Sequence, residues 1–418
     1  MLESVDALAP AMVDETSALI QIPSISGSDA ENEAQAVLAH RLRTTGYDID
    51  HWRIDLDEVC MHADFPGVEV DRQEAWGLVA RLPGTGGGPA LMLNGHIDVV
   101  PVGDPNAWID PPFAGGTRDG HVYGRGACDM KAGLVASVHA MDALRKSGVR
   151  LAGDVILASV QGEEDGGLGT FALLQRGWRA DACVVAEPTE LDVIPANSGS
   201  LTFRLRVPGQ ATHAARRTEG VSAIDKFWPV WQALVELEQR RHELVDPLMS
   251  RWRLAHPLSI GTVTAGDWAS SVPDLLVAEG RLGVALGESV EHARAELEQT
   301  VAHLNERDPW HRQHPVDLEW WGGQFAPGRL PAGSDLIDRV RAAHAVGSRD
   351  AGRSQRVYGA PYGSDLRLLT GLGGIPTVQY GPGDVRLAHG PRECVPIADI
   401  VTTARTLALL ALDVCGER

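Results

Sequence analysis

The first part of the chain alternates short apolar runs with longer amphipathic segments. The apolar runs are rich in Val, Leu and Ile and have the length of strands, whereas the amphipathic segments between them have helical periodicity. Strands that alternate with helices pack as a mostly parallel sheet with helices on both faces. We therefore predict an α/β domain with a mostly parallel, mixed sheet, whose strands include residues 76–82, 90–100, 154–160 and 182–188 and whose helices include 131–148 and 170–177.

The middle of the chain has a different pattern. Three segments alternate apolar and polar positions, as strands with one exposed face do, and two long segments between them have helical periodicity. They are residues 200–207, 223–245, 275–286, 289–308 and 316–322. After them the pattern of the first part returns. We predict a main domain formed by residues 1–197 and 323–418, interrupted by a small α+β domain at residues 198–322.

Charge and cysteine content narrow the class of protein. The formal net charge of −19 argues against nucleic acid or an anionic membrane surface as the main partner. The five cysteines are scattered and form no C-x-x-C pair, which is typical of the reducing cytoplasm. No apolar run is long enough to cross a bilayer, and residues 1–20 have an amphipathic pattern rather than that of a secretion signal. We expect a cytoplasmic protein.

Five short motifs place acids or histidines at strand ends or in glycine-rich turns. Each motif alone has a common structural explanation, because such residues often only form turns or hydrogen bonds within a fold. Together they supply oxygen and imidazole donors without thiolates, which suits zinc, with cobalt or manganese as substitutes. Two histidines, two glutamates and one shared aspartate would suit two divalent ions, with one carboxylate left over. The candidates are His96, Asp129, Glu163, Glu164, Glu187 and His389.

Two further acids accompany these motifs. Asp98 projects to the same side of its strand as His96, where its carboxylate can accept the second imidazole N–H. Asp165 is interpreted as a turn acid ahead of two glycines. Motifs of other catalytic sites are absent. The chain has no G-x-S-x-G motif of a serine hydrolase, and the glycine-rich residues 84–88 lack the Lys-Ser/Thr of a phosphate-binding loop.

Taken together, these motifs resemble those of the dinuclear-zinc deacylases and exopeptidases, the family that includes acetylornithine deacetylase, succinyl-diaminopimelate desuccinylase, aminoacylase and glutamate carboxypeptidase. The similarity runs in family order over residues 15–410. The segments that carry it are LMLNGHIDVVP, WIDPPFAGGTRDGHVYGRGACDMKAG, ASVQGEED, VVAEP, VPGQATHAA, YGSDLRLL and YGPGDVRLAHGPRECVPI.

The resemblance implies how the ligands divide between two zinc ions per chain. Asp129 would bridge both ions, and the peptide bond after it would be cis. His96 and Glu187 would complete one zinc site, and Glu164 and His389 would complete the other.

The resemblance also implies the catalytic groups and a dimer. Glu163 would be the general base that takes a proton from the water between the ions and returns it to the departing amine, and Asp98 would orient His96. The inserted domain would be a lid that pairs with its twin in a homodimer. His213 of that domain would reach the partner's active site and stabilise the oxyanion.

The substrate-binding residues follow the family less closely. Arg367, with Gly363 and Ser364 before it, corresponds to an arginine that binds a substrate carboxylate. In the lid, Ser270 occupies the position of a common asparagine, and Gly283 that of a common arginine. Arg281 shares the strand face of Gly283 and is the candidate replacement.

The main expectation is a zinc-dependent amidohydrolase that removes an acyl group from a small N-acyl amino acid or related amide. The alternatives on the same site are a dipeptidase or carboxypeptidase and a deformylase of a formylated aminopyrimidine. A catalytically silent metal-binding protein is the third hypothesis. Four tryptophans of the inserted domain leave room for a leaving group that is not an amino acid, although most are expected in the core: Trp228, Trp231, Trp252 and Trp268.

Overall fold

The computed structural model of the protein describes residues 1–349 and 354–416. The chain forms two compact units. The first contains Met1–Ala196, Arg329–Tyr358 and the chain from Ser364 onwards, and the second contains Asn197–Gly328 and Gly359–Gly363.

Helices and strands alternate in the first unit and are grouped around one sheet in the second. The helices are α1 (Leu2–Ala7), α2 (Ala9–Ile20), α3 (Asp29–Thr44), α4 (Leu56–Cys60), α5 (Ala132–Lys146), α6 (Leu168–Gln175), α7 (Ala223–Arg241), α8 (Val290–Arg307), α9 (Leu336–Gly347), α10 (Leu366–Gly371) and α11 (Ile397–Cys415). The strands are β1 (Asp48–Arg53), β2 (Trp76–Leu82), β3 (Leu91–His96), β4 (Thr117–Arg118), β5 (His121–Tyr123), β6 (Val155–Val160), β7 (Ala182–Val185), β8 (Ala196–Asn197), β9 (Gly199–Pro208), β10 (Leu258–Ala265), β11 (Leu275–Val284), β12 (Asp317–Phe325), β13 (Gly328–Arg329), β14 (Thr377–Gln379) and β15 (Cys394–Pro396).

The first unit is built on a six-stranded sheet in the order β1-β2-β6-β3-β7-β14. The four strands from β6 to β14 run parallel to one another, and β1 and β2 are antiparallel to their neighbours. Parallel strands that are covered by helices on both faces have continuous apolar sequences. The strands β3, β6 and β7 have such sequences and are buried along their whole length.

Alternate residues of these strands serve two cores, one on each face of the sheet. Leu91 and Leu93 pack in the core that also contains residues of α5, α9 and α11, whereas Met92 packs in the core formed with α6 and α10. Helices on both faces leave the ends of the strands as the accessible part of the sheet. The carboxyl ends of β6, β3 and β7 therefore lie side by side at one edge.

The second unit has a four-stranded antiparallel sheet in the order β10-β11-β9-β12. Along β9 the residues Leu201, Phe203, Leu205 and Val207 are buried and alternate with polar ones, so one face of the sheet packs in a core with α7 and α8. This one-sided burial is the alternation that the sequence predicts for residues 200–207.

The predicted fold class is confirmed: the structure is an α/β protein with a mainly parallel sheet flanked by helices, into whose chain an α+β unit is inserted. The second unit begins at Asn197 and continues to Gly328, beyond the predicted segment 198–322 at both ends, and it also takes in Gly359–Gly363. Backbone hydrogen bonds explain the inclusion of Gly359–Gly363, because Gly359 N–H donates to Leu248 and Ser198 N–H donates to Ala360. No described helix is long and apolar enough to cross a membrane.

The expectation that most lid tryptophans belong to the core is wrong. Trp228 is 61% exposed, Trp231 36% and Trp268 73%. Trp252 is partly buried, and its indole N–H donates to the carbonyl of Gly359 at 2.6 Å. Trp228 and Trp231 belong to α7, and both lie outside its buried face.

Candidate metal centre

Three neighbouring parallel strands of the first unit carry candidate ligands at their carboxyl ends. His96 is the last residue of β3, Glu164 lies just beyond β6, and Glu187 lies just beyond β7. Because β3 lies between β6 and β7, the three side chains meet at one edge of the sheet. Two loops bring further donors, Asp129 just before α5 and His389 before β15.

Five side chains form two donor sets that share one residue. His96, Asp129 and Glu187 form the first set, and Asp129, Glu164 and His389 form the second; the donor atoms of each set lie within 4.8 Å of one another. These are the five residues predicted as metal ligands, in the two groups that the family resemblance implies.

Asp129 lies between the two histidines. Its Oδ1 is 3.1 Å from Nε2 of His96, and its Oδ2 is 3.4 Å from Nε2 of His389. Nε2 of His389 is also 3.1 Å from Oε2 of Glu164. The two oxygens of one carboxylate thus face two separate imidazoles, as a ligand shared by two ions must. The peptide bond from Asp129 to Met130 is cis.

Hydrogen bonding sets the tautomer of His96. Its Nδ1 is 2.9 Å from the backbone carbonyl of Asp98, which can only accept, so Nδ1 carries the proton. Nε2 faces Oδ1 of Asp129 at 3.1 Å and is the ring nitrogen that would bind a metal ion. The Asp98 carboxylate was predicted to take the Nδ1 proton, but its Oδ1 is 3.7 Å away. The backbone carbonyl orients the ring instead.

The Asp98 carboxylate contacts the next strand. Its Oδ1 accepts from the backbone N–H of Glu163 and its Oδ2 from that of Glu164, both at 3.3 Å, and Ser26 Oγ donates to Oδ2 at 2.9 Å. Asp98 therefore holds the turn that presents the two glutamates.

Acidic charge dominates the electrostatics of the cluster. Burial alone lowers the pKa of His96, but Asp129 and Asp98 outweigh it and raise that pKa well above its usual range. The Glu164 carboxylate raises the pKa of His389 to about 11. Burial raises the pKa of Glu187, and the neighbouring Asp129 raises it further. All three shifts include the effect of neighbouring carboxylates, an excess of negative charge that cations would neutralise.

Two carboxylate oxygens in the cluster fit a metal or a metal-held water. Oε1 of Glu163 and Oε1 of Glu164 are buried and have no hydrogen-bond partner among the described residues. Buried polar atoms are almost always paired in native proteins. Glu163 is only 6% exposed, and burial followed by the charge of Asp365 raises its pKa. The donor set therefore fits two divalent ions, with Glu163 beside them.

Asp165 is not the solvent-exposed turn acid that the sequence suggested. Its two oxygens accept from Nη1 and Nη2 of Arg72, both at 2.8 Å, and both side chains are nearly inaccessible. Arg72 also donates to Glu31, which accepts in turn from the backbone N–H of Gly162. This buried group, which we call the Arg72 clamp (Glu31, Arg72 and Asp165), fixes the turn that carries Glu163 and Glu164.

The predicted carboxylate-binding arginine is buried in the first unit. Arg367 is 5% exposed, and its Nη2 donates to the carbonyl of Gly166 at 2.7 Å. Ser364 is also buried and accepts from Gln379 at 2.8 Å. Gly363 has no room for a side chain, since a Cβ there would lie 2.5 Å from the Phe325 ring. The contacts of Arg367 and Ser364 lie within the first unit and that of Gly363 within the second, and each of them joins parts of the fold.

The remaining predicted residues lie on exposed positions of the second unit. His213 Nδ1 accepts from the N–H of Ala215, and Ser270 accepts from the N–H of Ala214. His213 and Ser270 are therefore close together. Arg281 is exposed on β11. A Cβ at Gly283 would lie 2.5 Å from the backbone of His256, so this chain cannot place an arginine there.

Comparison with known proteins agrees with this geometry. The model of peptidase family M20/M25/M40 matches residues 92–413. The N-formyl-4-amino-5-aminomethyl-2-methylpyrimidine deformylase of Halalkalibacterium halodurans is 30% identical over 352 residues, covering 79% of this chain and 80% of that protein. The enzyme of the same name from Bacillus subtilis is 28% identical over 411 residues, covering 92% of this chain and 89% of that protein.

The same fold occurs in solved structures. The di-peptidase Dug1p of Saccharomyces cerevisiae superposes with a TM-score of 0.77 at 15% identity, over 98% of this chain and 97% of that one. The family model covers most of the chain and spans all five candidate metal ligands. The chain belongs to peptidase family M20/M25/M40 and is a hydrolase of amide bonds.

Proposed function

We propose that the protein removes the acyl group from a small N-acylated amine with the help of two metal ions and Glu163. The observation that carries this proposal is the pair of donor sets joined by Asp129, with the unpartnered, buried Oε1 of Glu163 next to them. His96, Asp129 and Glu187 would hold one ion, and Asp129, Glu164 and His389 the other. Zinc suits these oxygen and imidazole donors best.

Each residue then has a distinct task. When bound, the two ions lower the pKa of a water molecule and polarise the scissile carbonyl. Glu163 takes the proton of that water at its carboxylate and passes it to the nitrogen of the departing amine. Asp98 holds the backbone of Glu163 and Glu164 in place, and the carbonyl of Asp98 keeps Nε2 of His96 turned towards Asp129, where it would bind an ion.

We propose a formamide of an aminomethylated heteroaromatic ring, such as an aminopyrimidine, as the substrate. Both deformylases reported above act on a compound of this class by name. The burial of Arg367, whose Nη2 donates to the carbonyl of Gly166, supports a substrate without a carboxylate. The lack of space at Gly283 removes a second position from which an arginine would bind a carboxylate.

A substrate panel tests this assignment. The zinc- and cobalt-loaded protein is incubated with formylaminomethyl-pyrimidines, N-formyl, N-acetyl and N-succinyl amino acids, and dipeptides, and release of primary amine is measured. We expect the highest kcat/KM for the formylated pyrimidine. Faster hydrolysis of an N-acyl amino acid or a dipeptide would overturn the substrate assignment and leave the metal-dependent mechanism intact.

We further propose that the second unit is a lid and forms a homodimer. Its surface supports an interface, because Ile224 and Trp228 of α7 are 54% and 61% exposed, and Val263 on the edge strand β10 is 51% exposed. Exposed apolar groups of this size are typical of association surfaces. In this dimer His213 of one protomer would donate to the oxyanion in the active site of its partner.

Mixing two inactive variants tests the shared active site. His213→Ala lacks the donated imidazole and Glu163→Gln lacks the base, so each homodimer is expected to be nearly inactive. A mixed dimer contains one site with both groups intact. After denaturation and joint refolding in equal amounts, activity should return to about a quarter of the wild-type value. No recovery, in a sample shown to contain mixed dimers, would mean that His213 does not serve the partner.

A further inference from the structure

A buried carboxylate lies directly behind the turn that presents Asp129. Glu393 is 1% exposed. Its Oε1 accepts from three backbone N–H groups of this turn: Gly126 at 2.9 Å, Cys128 at 3.2 Å and Asp129 at 3.3 Å. A carboxylate that accepts several converging N–H groups fixes the path of the backbone that carries them. Here that backbone carries the side chain that faces both histidines.

The second oxygen of Glu393 is held by an arginine. Nη1 of Arg125 donates to Oε2 at 2.5 Å, and Nη2 of Arg125 donates to the carbonyl of Pro101 at 3.2 Å. The guanidinium also lies over the ring of Trp108, 5.2 Å from its centroid. Arg125 is itself buried. The charge of Glu393 is therefore neutralised and its orientation is set from both oxygens.

The position of Glu393 in the chain joins the two donor segments. It lies four residues after His389 and immediately before β15, which pairs with β5 through Cys394 and Tyr123. The carbonyl of Glu393 also accepts from the N–H of Gly124 at 3.2 Å. One residue thus connects the segment of His389 to the turn of Asp129, and these two side chains belong to the same donor set.

We infer that Glu393 is a positioning residue for the metal pair. It acts through the backbone of Asp129 and belongs to neither donor set. Both donor sets use Asp129, so the affinity for both ions depends on Glu393. This inference rests on the metal pair proposed above and is independent of the substrate.

Asp142 provides a matched control for a general loss of stability. It is a buried carboxylate of α5, 4% exposed, that accepts from Arg41 at 2.5 Å and from Tyr47 at 2.8 Å. It therefore resembles Glu393 in burial and in its arginine partner but belongs to neither donor set. Asp142→Asn disturbs a buried ion pair without touching the turn of Asp129.

Cobalt binding in the absence of substrate tests the inference. In Glu393→Gln one acceptor oxygen becomes an NH₂ group, so either the turn or Arg125 loses its acceptor. The dissociation constants for Co²⁺, followed by visible absorption, should rise about 10- to 100-fold. Asp142→Asn should bind Co²⁺ as the wild type does, even if it unfolds more easily.

Glu393→Asp keeps the charge and both oxygens but shortens the side chain, and it decides the matter if Glu393→Gln fails to fold. It should also weaken Co²⁺ binding, because the shorter side chain cannot reach Arg125 and the turn together. A folded Glu393 variant with wild-type affinity would overturn the inference, as would an equal loss in Asp142→Asn. A wild-type protein that binds no Co²⁺ would overturn the metal pair itself.

Discussion

Individual carboxylates near the metal centre have tasks that their positions in the sequence do not distinguish. Glu163, Glu164 and Asp165 are consecutive, yet one is free at Oε1, one faces His389 and one pairs with Arg72. Their mutual repulsion is relieved by different neighbours, an arginine for Asp165 and, in our proposal, the metal ions for the other two. The local backbone turns each side chain to a different environment.

Removing His389 should empty one donor set and spare the other. His389 belongs only to the set with Asp129 and Glu164, and its side chain is the most exposed of the ligands in that set, at 53%. We expect His389→Ala to retain about one tightly bound metal per chain, held by the three ligands of the other set. Metal content by mass spectrometry after gel filtration measures this. Two retained metals per chain would show that His389 is not a ligand.

At the scale of elements, the carboxyl ends of three parallel strands account for most of the metal centre. The apolar runs, their lengths and the residues that follow them are visible in the sequence, so the sheet edge and the candidate ligands that meet there could be predicted. The Arg72 clamp could not, because Arg72 lies in a loop without periodicity and pairs with an acid 93 residues away. Long-range pairs of this kind have no local signature.

The Arg72 clamp should contribute far more to stability than an exposed ion pair. Arg72→Met leaves Glu31 and Asp165 buried without their cation, which is expected to cost about 3–5 kcal/mol of the free energy of unfolding. The control is Arg176→Met, because Arg176 pairs with Asp50 on the surface with 44% of its side chain exposed. That change should cost at most about 1 kcal/mol. Equal losses in urea denaturation would contradict this account.

The molecule as a whole consists of two compact units. The switch from buried strands to one-sided strands predicts a second unit from residue 198, and the structure begins that unit at Asn197. The return of Gly359–Gly363 to that unit, and the exposure of Trp228 and Trp268, depend on how distant segments pack. The hydrophobicity of a side chain indicates that it prefers burial. It does not indicate whether the side chain is buried within its own chain or remains exposed at the surface.

Metal binding should stabilise the fold by mass action. The folded protein brings the five ligands together and the unfolded chain does not, so zinc at about a thousand times its dissociation constant adds roughly 4 kcal/mol. We expect chelation to lower the thermal midpoint and zinc to restore it, as measured by differential scanning calorimetry. Asp129→Asn should lose most of this response, because Asp129 belongs to both donor sets. A zinc-induced shift of wild-type size in that variant would contradict the shared ligand.

The central claim is that Glu163 moves the proton while five other residues hold two metal ions. The most direct test measures metal content and turnover together in Glu163→Gln, with the best amide substrate of the panel. The account predicts two metals per chain, as in the wild type, and a fall in kcat of about 10²- to 10⁴-fold. A variant that keeps both metals and hydrolyses the substrate at nearly the wild-type rate would contradict it.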